Sequence, residues 1–477
     1  LLIYAFLANF TPSIMRTVLF FILISINKLF RLNIKTINLL ILTCIILLAF
    51  NPFYIHSIGF IFSFIITFYL ILFNEIINKH NNYFIKLLMT SIISFLASLP
   101  IVINNFFSIN LLSIILNLIF VPFVAYFIFP ITLITFIFPV LSPILVIMIN
   151  ILENMSLFFS KINLLVITLC KINIYCFVGY YLVITLILFL FKKQKYYSIL
   201  ILVPILIIHY NIQLFNKYPI ITVLDVGQGD SILIILPHNN GNILIDTGGI
   251  LKYDNQLLKT NEYSIVKNKT IPYLKSLGIT KLDYLILSHG DYDHAGEAQK
   301  LIDNFNINKV IFNSDQYNEL ELELIRILKE NNIPYYQNIK KLNINNNKLS
   351  FLNHKTYDNE NDNSNVIYTK ISNYKFLFMG DASIDVENNL IKKYNLEDID
   401  ILKVGHHGSK TSSGREFIDY IKPKYSIISV GKNNRYGHPN NEVLKNLEKS
   451  RVYRTDLDGS IMIKIKNSKL EIETCPP

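Results

Sequence analysis

A chain of 477 residues has room for two or three domains, and at 52% hydrophobic residues with a mean hydropathy of +0.40 it is too apolar for an ordinary soluble protein. The formal charge of +10 is unevenly spread: residues 1–216 hold eleven Lys/Arg against two acids, Glu75 and Glu153, which leaves 33 basic and 32 acidic residues for the rest. This excludes a net basic nucleic-acid-binding surface over the second half, and assigns the excess charge to membrane topology and to a pathway through the apolar half.

The four cysteines, Cys44, Cys170, Cys176 and Cys475, have no metal-site spacing and predict no disulfide framework. Leu1 lies in an apolar run without an initiator Met or a basic signal-peptide n-region, so the chain is expected to be a fragment or to come from an incomplete start.

Crossing a bilayer takes roughly 17 to 25 apolar residues. In chain order the short runs Ile14–Phe30 and Ile37–Phe50 come first. Phe53–Ile77, Phe84–Ile103, Ile109–Phe129, Ile131–Ile149, Ile151–Cys170, Ile174–Phe191 and Tyr197–Phe215 follow. A soluble helical core does not repeat apolar runs at this density, so residues 1–216 are expected to form a multi-span membrane domain. Basic loops at Lys28/Arg31/Lys35, Lys79/Lys86 and Lys192/Lys193/Lys195 are expected in the cytoplasm. Four apolar runs separate Asn104 from Lys192, where that orientation needs an odd number. One of them is expected not to cross, in a region carrying Pro122, Pro130, Pro139 and Pro143. The segment beginning near Pro219 is then extracytoplasmic. Arg16 sits inside an apolar run, where it either marks a pathway or snorkels to the interface.

Residues 217–477 read differently. Strands are expected at Ile220–Val226, Ser231–Leu236, Asn242–Ile245, Tyr284–Leu287, Lys309–Phe312, Val366–Ile371, Lys375–Met379, Ile401–Val404 and Ser426–Val430, with helical runs between several of them. That mixture predicts an α/β, αβ/βα sandwich with loops gathered at one end of the sheets. Polar groups keep appearing just beyond these strands. Ser288 to Gly296 packs His289, Asp291, Asp293 and His294 into one loop, and imidazole with carboxylate suits Zn²⁺ or Mn²⁺. Asp246, Asp381, the His406-His407 pair and His438 each follow a strand in the same way.

The loop from His289 to His294 resembles the metal signature of the metallo-β-lactamase superfamily, with aspartate where many members carry a second histidine. Leu224 to Asp230, Leu287 to Gly296, Lys403 to Ser413 and Val452 to Asp456 are similar to the C-terminal domain of the ComEC family of DNA-uptake channels. Pro12-Ser13-Ile14-Met15-Arg16, Gly59 to Phe64, and Ser108 to Pro122 with Asn117 resemble that family's competence domain. Ile61 and His56 depart from its pattern, and the family implies an OB-like domain and further spans ahead of this sequence.

The resemblance implies inward passage of single-stranded DNA through the bilayer-embedded domain of a bacterial cell membrane, with other competence proteins as partners and the outer domain degrading the strand left behind. Two divalent metals would activate water and clamp a phosphodiester. Asp381 is then the bridging ligand, His289 and Asp291 serve one metal, and Asp293 and His294 the other. One histidine of the pair completes a shell, taken as His406, while His407 acts on the leaving group or holds a carboxylate. Asp246 orients a ligand histidine. Ser409, Lys410, Thr411 and Ser412 offer donors to phosphate, His438 donates to substrate or binds metal, and Arg16 and Asn117 are channel candidates. The competing reading is a membrane-anchored metallohydrolase of another envelope phosphodiester, such as teichoic-acid phosphocholine. So many proline-interrupted spans exceed what an anchor needs.

Overall fold

The computed structural model describes residues 5–6, 9–162, 165–249, 263–313 and 317–476. The chain divides into two compact units, Leu1–Tyr210 and Asn211–Pro477.

The first unit is helical. Among the described residues, five helices are long and apolar enough to cross a membrane: Pro12–Leu29, Tyr83–Phe106, Ser113–Ile137, Pro139–Ser160 and Ile174–Lys192. Thr36–Phe50, Ile58–Leu72 and Tyr196–Tyr210 are shorter apolar helices. Local chemistry starts several of them. The Asn82 side chain accepts from the backbone N–H of Phe84 and Ile85, Ser57 from Phe60, and Asn173 from Cys176, satisfying donors that a first helical turn leaves open. A buried cluster including Tyr69, Phe73, Leu96, Ile103, Ile184 and Leu188 joins the helices around Ile58–Leu72, Tyr83–Phe106 and Ile174–Lys192.

Two expected spans are corrected here. Ile131–Ile149 is interrupted at Phe138-Pro139, where one helix ends and the next starts with proline in its first turn. Ile151–Cys170 stops being helical after Ser160; β2 (Val166–Thr168) pairs antiparallel with β1 (Ser108–Asn110), while Asn163 and Leu164 lie outside the described residues. Hydropathy reported apolar side chains correctly but could not see where the backbone changes its hydrogen-bond partners. Among the described residues, three helices of membrane-spanning length lie between Asn104 and Lys192: Ser113–Ile137, Pro139–Ser160 and Ile174–Lys192, an odd number in place of the four expected runs.

The second unit has an eight-stranded and a seven-stranded sheet. The strands are β3 (Ile220–Val223), β4 (Ile232–Ile235), β5 (Asn242–Ile245), β6 (Lys281–Leu282), β7 (Tyr284–Ile286), β8 (Asn306–Ile307), β9 (Val310–Phe312), β10 (Tyr335–Gln337), β11 (Lys341–Ile344), β12 (Asn347–Phe351), β13 (Ile367–Ile371), β14 (Tyr374–Phe378), β15 (Ile401–Lys403), β16 (Tyr425–Ile428), β17 (Arg451–Arg454), β18 (Ser460–Lys466) and β19 (Lys469–Cys475). The larger sheet runs β10-β9-β7-β5-β4-β3-β18-β19 and the smaller β11-β12-β13-β14-β15-β16-β17, while β6 and β8 form a small pair.

Side-chain alternation explains the layers. Ile232 and Ile234 of β4 join Phe376 and Phe378 of β14 in the core between the sheets. Leu233 and Ile235 instead pack with Leu301, Leu324 and Leu328 of the outer helices. In the other layer, Leu377 and Leu402 meet Val386, Leu390 and Phe417. Strands buried on both faces read as continuous apolar runs, as β4 does. The result is the expected αβ/βα sandwich, built on two mixed sheets.

Candidate metal centre

Strands β5 and β7 pair in parallel in one sheet, as do β14, β15 and β16 in the other. Parallel strands bring their carboxyl ends to the same edge, where ligands gather in such sheets. Asp246 follows β5, His289 follows β7, Asp381 follows β14, His406 and His407 follow β15, and His438 lies beyond β16. Two glycines allow the loops to close up. A Cβ on Gly229 would lie 2.1 Å from the Asp293 carbonyl oxygen, and one on Gly249 would lie 1.9 Å from that of Tyr292.

The centre is built on buried imidazoles and carboxylates. Asp246 accepts from the Ser288 backbone N–H at 2.7 Å and from His294 Nδ1 at 2.9 Å. That bond leaves Nε2 of His294 facing Asp381 Oδ1 at 3.2 Å. His407 donates from Nδ1 to the Ser429 carbonyl at 2.9 Å, turning its Nε2 toward Asp293 Oδ2 (3.2 Å) and Asp381 Oδ2 (3.6 Å). Asp381 thus faces both histidines, one with each oxygen. His289 Nδ1 contacts the Ser288 hydroxyl at 3.0 Å, and its Nε2 lies 3.6 Å from Asp291.

His406 and His407 are separated by their backbone. Both have positive φ (45° and 53°), a region costing roughly 1–2 kcal/mol for a residue with a Cβ. Bonds from His406 N to Gly380 O and from Ser412 Oγ to Gly405 O hold the turn. The two rings stand at 74°, so His407 points inward while the more exposed His406 faces His438 with ring centroids 5.9 Å apart.

Electrostatics follow this packing. Burial opposes charge on His294, but Asp381 and Asp246 overcome it and raise its pKa well above the ordinary value. Burial likewise opposes ionisation of Asp293, but His407 and His294 bring it down to about 2. Asp381 is held well below the usual carboxylate range by His294 and His407, again against burial. Burial lowers the pKa values of His406 and His438.

Among the described residues three sets of donors converge within 4.8 Å: His289, His294 and Asp381; Asp293, His294 and His407; and Asp230, Asp246 and His294. His289 Nε2, His294 Nε2 and Asp381 Oδ1 are buried without hydrogen-bond partners among the described residues. Orphaned donors of this kind fit a divalent cation, because the attraction that raises the His294 pKa would equally hold a metal. Asp291 and His406 stand at the rim and belong to none of these sets, although Asp381 Oδ2 is 3.8 Å from His406 Nε2. A cleft of about 350 Å³, lined by Gln228, Asp293, Asp381, His406, His407 and His438 among others, opens onto the centre.

The candidate phosphate donors are divided. The Thr411 hydroxyl reaches Ser409 Oγ at 3.0 Å and His406 Nδ1 at 3.3 Å, beside the centre. Ser412 is buried and donates to the Gly405 carbonyl, and Lys410 lines a different cavity with Arg415 and Glu442. Arg16, in the helical unit, donates to Thr67 Oγ1 at 2.7 Å and Thr17 Oγ1 at 3.1 Å. Asn117 is half-buried in the helix Ser113–Phe123.

Sequence reasoning missed a buried pair behind His407. Lys403 Nζ donates to Asp230 Oδ2 at 2.5 Å, and Asp230 Oδ1 lies 3.7 Å from His407 Nδ1. A lone lysine inside the apolar strand Ile401–Val404 was the available signal, since a buried ammonium requires a partner.

The family described as Competence protein matches residues 1–194, and the Metallo-beta-lactamase superfamily matches residues 224–432. ComE operon protein 3 of Bacillus subtilis (strain 168) is 30% identical over 505 residues, covering 100% of this chain and 64% of its own length. Recombination protein 2 of Haemophilus influenzae is 30% identical over 255 residues, covering 52% of this chain and 29% of its own. The chain thus spans less than two thirds of either relative. Among solved structures, the metallo-beta-lactamase fold protein YhfI from Bacillus subtilis is 13% identical with a TM-score of 0.37, covering 52% of this chain and all of its own.

Proposed function

We propose that this chain, which belongs to the ComEC-type competence family through its Competence protein and metallo-β-lactamase domains, passes single-stranded DNA inward across the cell membrane and hydrolyses phosphodiesters of the non-transported strand. The observation that carries the hydrolytic part is the convergence of His289, His294 and Asp381, whose inward-facing atoms are buried and, among the described residues, make no hydrogen bond. Two divalent ions, zinc or manganese, are the proposed cofactors. His289, His294 and Asp381 would hold one and Asp293 and His407 the other, with Asp381 shared. Such ions supply Lewis-acid chemistry and lower the pKa of water.

The chain's own residues do the rest. Asp246 fixes the ring of His294 through Nδ1, and the Ser429 carbonyl fixes that of His407, so both present Nε2 inward. His406 and His438, whose pKa values burial lowers, stand at the mouth, where a neutral ring would donate an N–H to the leaving oxygen. Thr411 and Ser409 supply hydroxyls to non-bridging phosphate oxygens.

The test is DNA cleavage by the full chain in detergent. Cleavage should stop on exhaustive chelation, return with manganese or zinc, and be absent from Asp381→Ala with an unchanged circular dichroism spectrum. Wild-type rates in chelator would remove the reading, and turnover of phosphocholine esters without DNA cleavage would favour the anchored envelope hydrolase.

The positive-inside pattern and three long helices between Asn104 and Lys192 support an extracytoplasmic position for the second unit. Cys475 is exposed. With Cys44 and Cys176 replaced by serine, an impermeant maleimide should label Cys475 in intact cells, in spheroplasts if there is an outer membrane. Labelling only after lysis reverses the orientation.

A further inference from the structure

Beside the cleft of the metal centre lies a second cavity of about 410 Å³, a volume within the range of small-ligand sites. Asp225, Gln228, Tyr263, Lys269, Lys432 and Asn434 line it. Gln228 lines both cavities, so they adjoin through its side chain. Its Oε1 accepts from Gly431 N at 3.2 Å, tying the turn after β3 to the loop that carries His438. Asn434 braces that loop by donating to the His438 carbonyl at 2.6 Å and accepting from its N–H at 3.0 Å.

The lining has a definite chemistry. Lys269 Nζ is 3.2 Å from Asp225 Oδ2 and 2.8 Å from the Asp225 carbonyl, so these two charges offset one another. Lys432 is exposed and supplies the remaining positive charge. Tyr263 is 54% exposed although it lines a cavity, which leaves much of its ring available. Among the described residues, one net cation, amide groups and an accessible aromatic ring, next to the cleft of the metal centre, are the elements of single-strand recognition. The cation tracks a backbone phosphate and the ring takes an unstacked base, with no demand on its identity.

We infer that this cavity is a nucleotide subsite, in which Lys432 holds the phosphate next to the scissile one and Tyr263 stacks on the intervening base. The inference rests on the phosphodiesterase reading. It makes the enzyme select single-stranded over paired substrate, because a base inside a duplex cannot reach a tyrosine face.

The experiment compares two substrates with the full chain in detergent. Bis(4-nitrophenyl) phosphate fills only the cleft of the metal centre, whereas a single-stranded oligonucleotide reaches both cavities. Tyr263→Ala should raise KM for the oligonucleotide about tenfold, and Tyr263→Phe should stay near wild type because the ring face remains. Lys432→Ala should raise it severalfold and lower the slope of log KM against log salt by about 0.7, the value for one phosphate contact on a single strand. None of the three should change kcat/KM for the small phosphodiester. Unchanged oligonucleotide KM in both alanine variants overturns the subsite, as does an equal loss on both substrates. A wild-type chain that hydrolyses the small phosphodiester but no oligonucleotide removes the nucleic-acid reading itself, and the subsite with it.

Discussion

The helices Ser113–Ile137 and Pro139–Ser160 bury none of their residues within the protein, whereas β4 and β5, similarly apolar, are buried at every position. The two units also treat charge differently. In the helical unit, cations stand mostly near helix ends, as Lys28 and Lys192 do, and among the described residues Arg16 bonds to hydroxyls of Thr67 and Thr17. In the sandwich, Asp230, Asp246, Asp381, His289, His294, Lys403 and His407 are all buried. The contrast teaches that apolar content alone does not say what covers a surface. In the sandwich a second layer of protein covers it and makes a dry place for charge. The outer helices of the first unit leave their surface for lipid, the covering a membrane supplies to a spanning helix.

Substitutions at four places test the contrast, in decreasing order of expected effect. Lys403→Met leaves Asp230 charged and alone in the sandwich interior, and should cost about 3–5 kcal/mol in chemical denaturation. Adding Asp230→Asn should recover part of the loss. A cost below about 1 kcal/mol for the single variant would mean that the pair is not buried in the manner described.

Glu387 accepts from Ser413 N and Gly414 N, and burial raises its pKa to about 7. A carboxyl that holds its proton more tightly when folded favours the folded state at low pH. That advantage is lost as pH climbs from the ordinary value near 4.5 through about 7. The loss is on the order of 3 kcal/mol. Thermal midpoints of wild type should therefore fall relative to Glu387→Gln across this window, and parallel pH profiles would contradict the assignment.

Asp246→Asn should weaken metal binding by about 10–100-fold, because the amide cannot accept from both Ser288 N and His294 Nδ1 as the carboxylate does. Competition with a chromophoric chelator measures this directly, and equal affinity in wild type and variant would deny Asp246 its orienting role.

The smallest effect belongs to the helical unit. Thr67→Val removes the acceptor for Arg16 Nη1 and should cost about 0.6 kcal/mol, near the average for a hydrogen bond between membrane helices. If Arg16 lines the proposed DNA path, Arg16→Ala in the naturally transforming host should sharply reduce transformation, Arg16→Lys should reduce it less, and Thr67→Val should leave it nearly intact. Equal defects in Arg16→Ala and Thr67→Val would make Arg16 a clip between helices.

Several features were legible without a structure. Short apolar runs such as Ser231–Leu236 marked buried strands, and Asn242–Ile245 was bounded at both ends. The recurrence of Asp246, His289, Asp381, His406-His407 and His438 just after strands announced a centre, since strand ends are where a sheet presents loops. β17, β18 and β19 were not marked as strands, although Ser460–Lys466 alternates in burial with the period of a strand. The helices Ser113–Ile137 and Pro139–Ser160 were misdivided because leucine, isoleucine and phenylalanine are equally apolar before and after a turn. Only Pro139 and the β1–β2 pairing set its limits.

Sequence by itself determined the two-unit plan, the alternating strands and the inventory of imidazoles and carboxylates, because each rests on composition or on short-range periodicity. Tertiary structure alone decided which of two adjacent histidines turns inward, and which neighbours approach His294 and Asp381. It also decided that Lys403 and Asp230 meet across 173 positions of sequence. The physical reason is distance. Local preferences act over a few residues, whereas a metal centre is a meeting of strand ends from two sheets, and its geometry exists only once both sheets have packed.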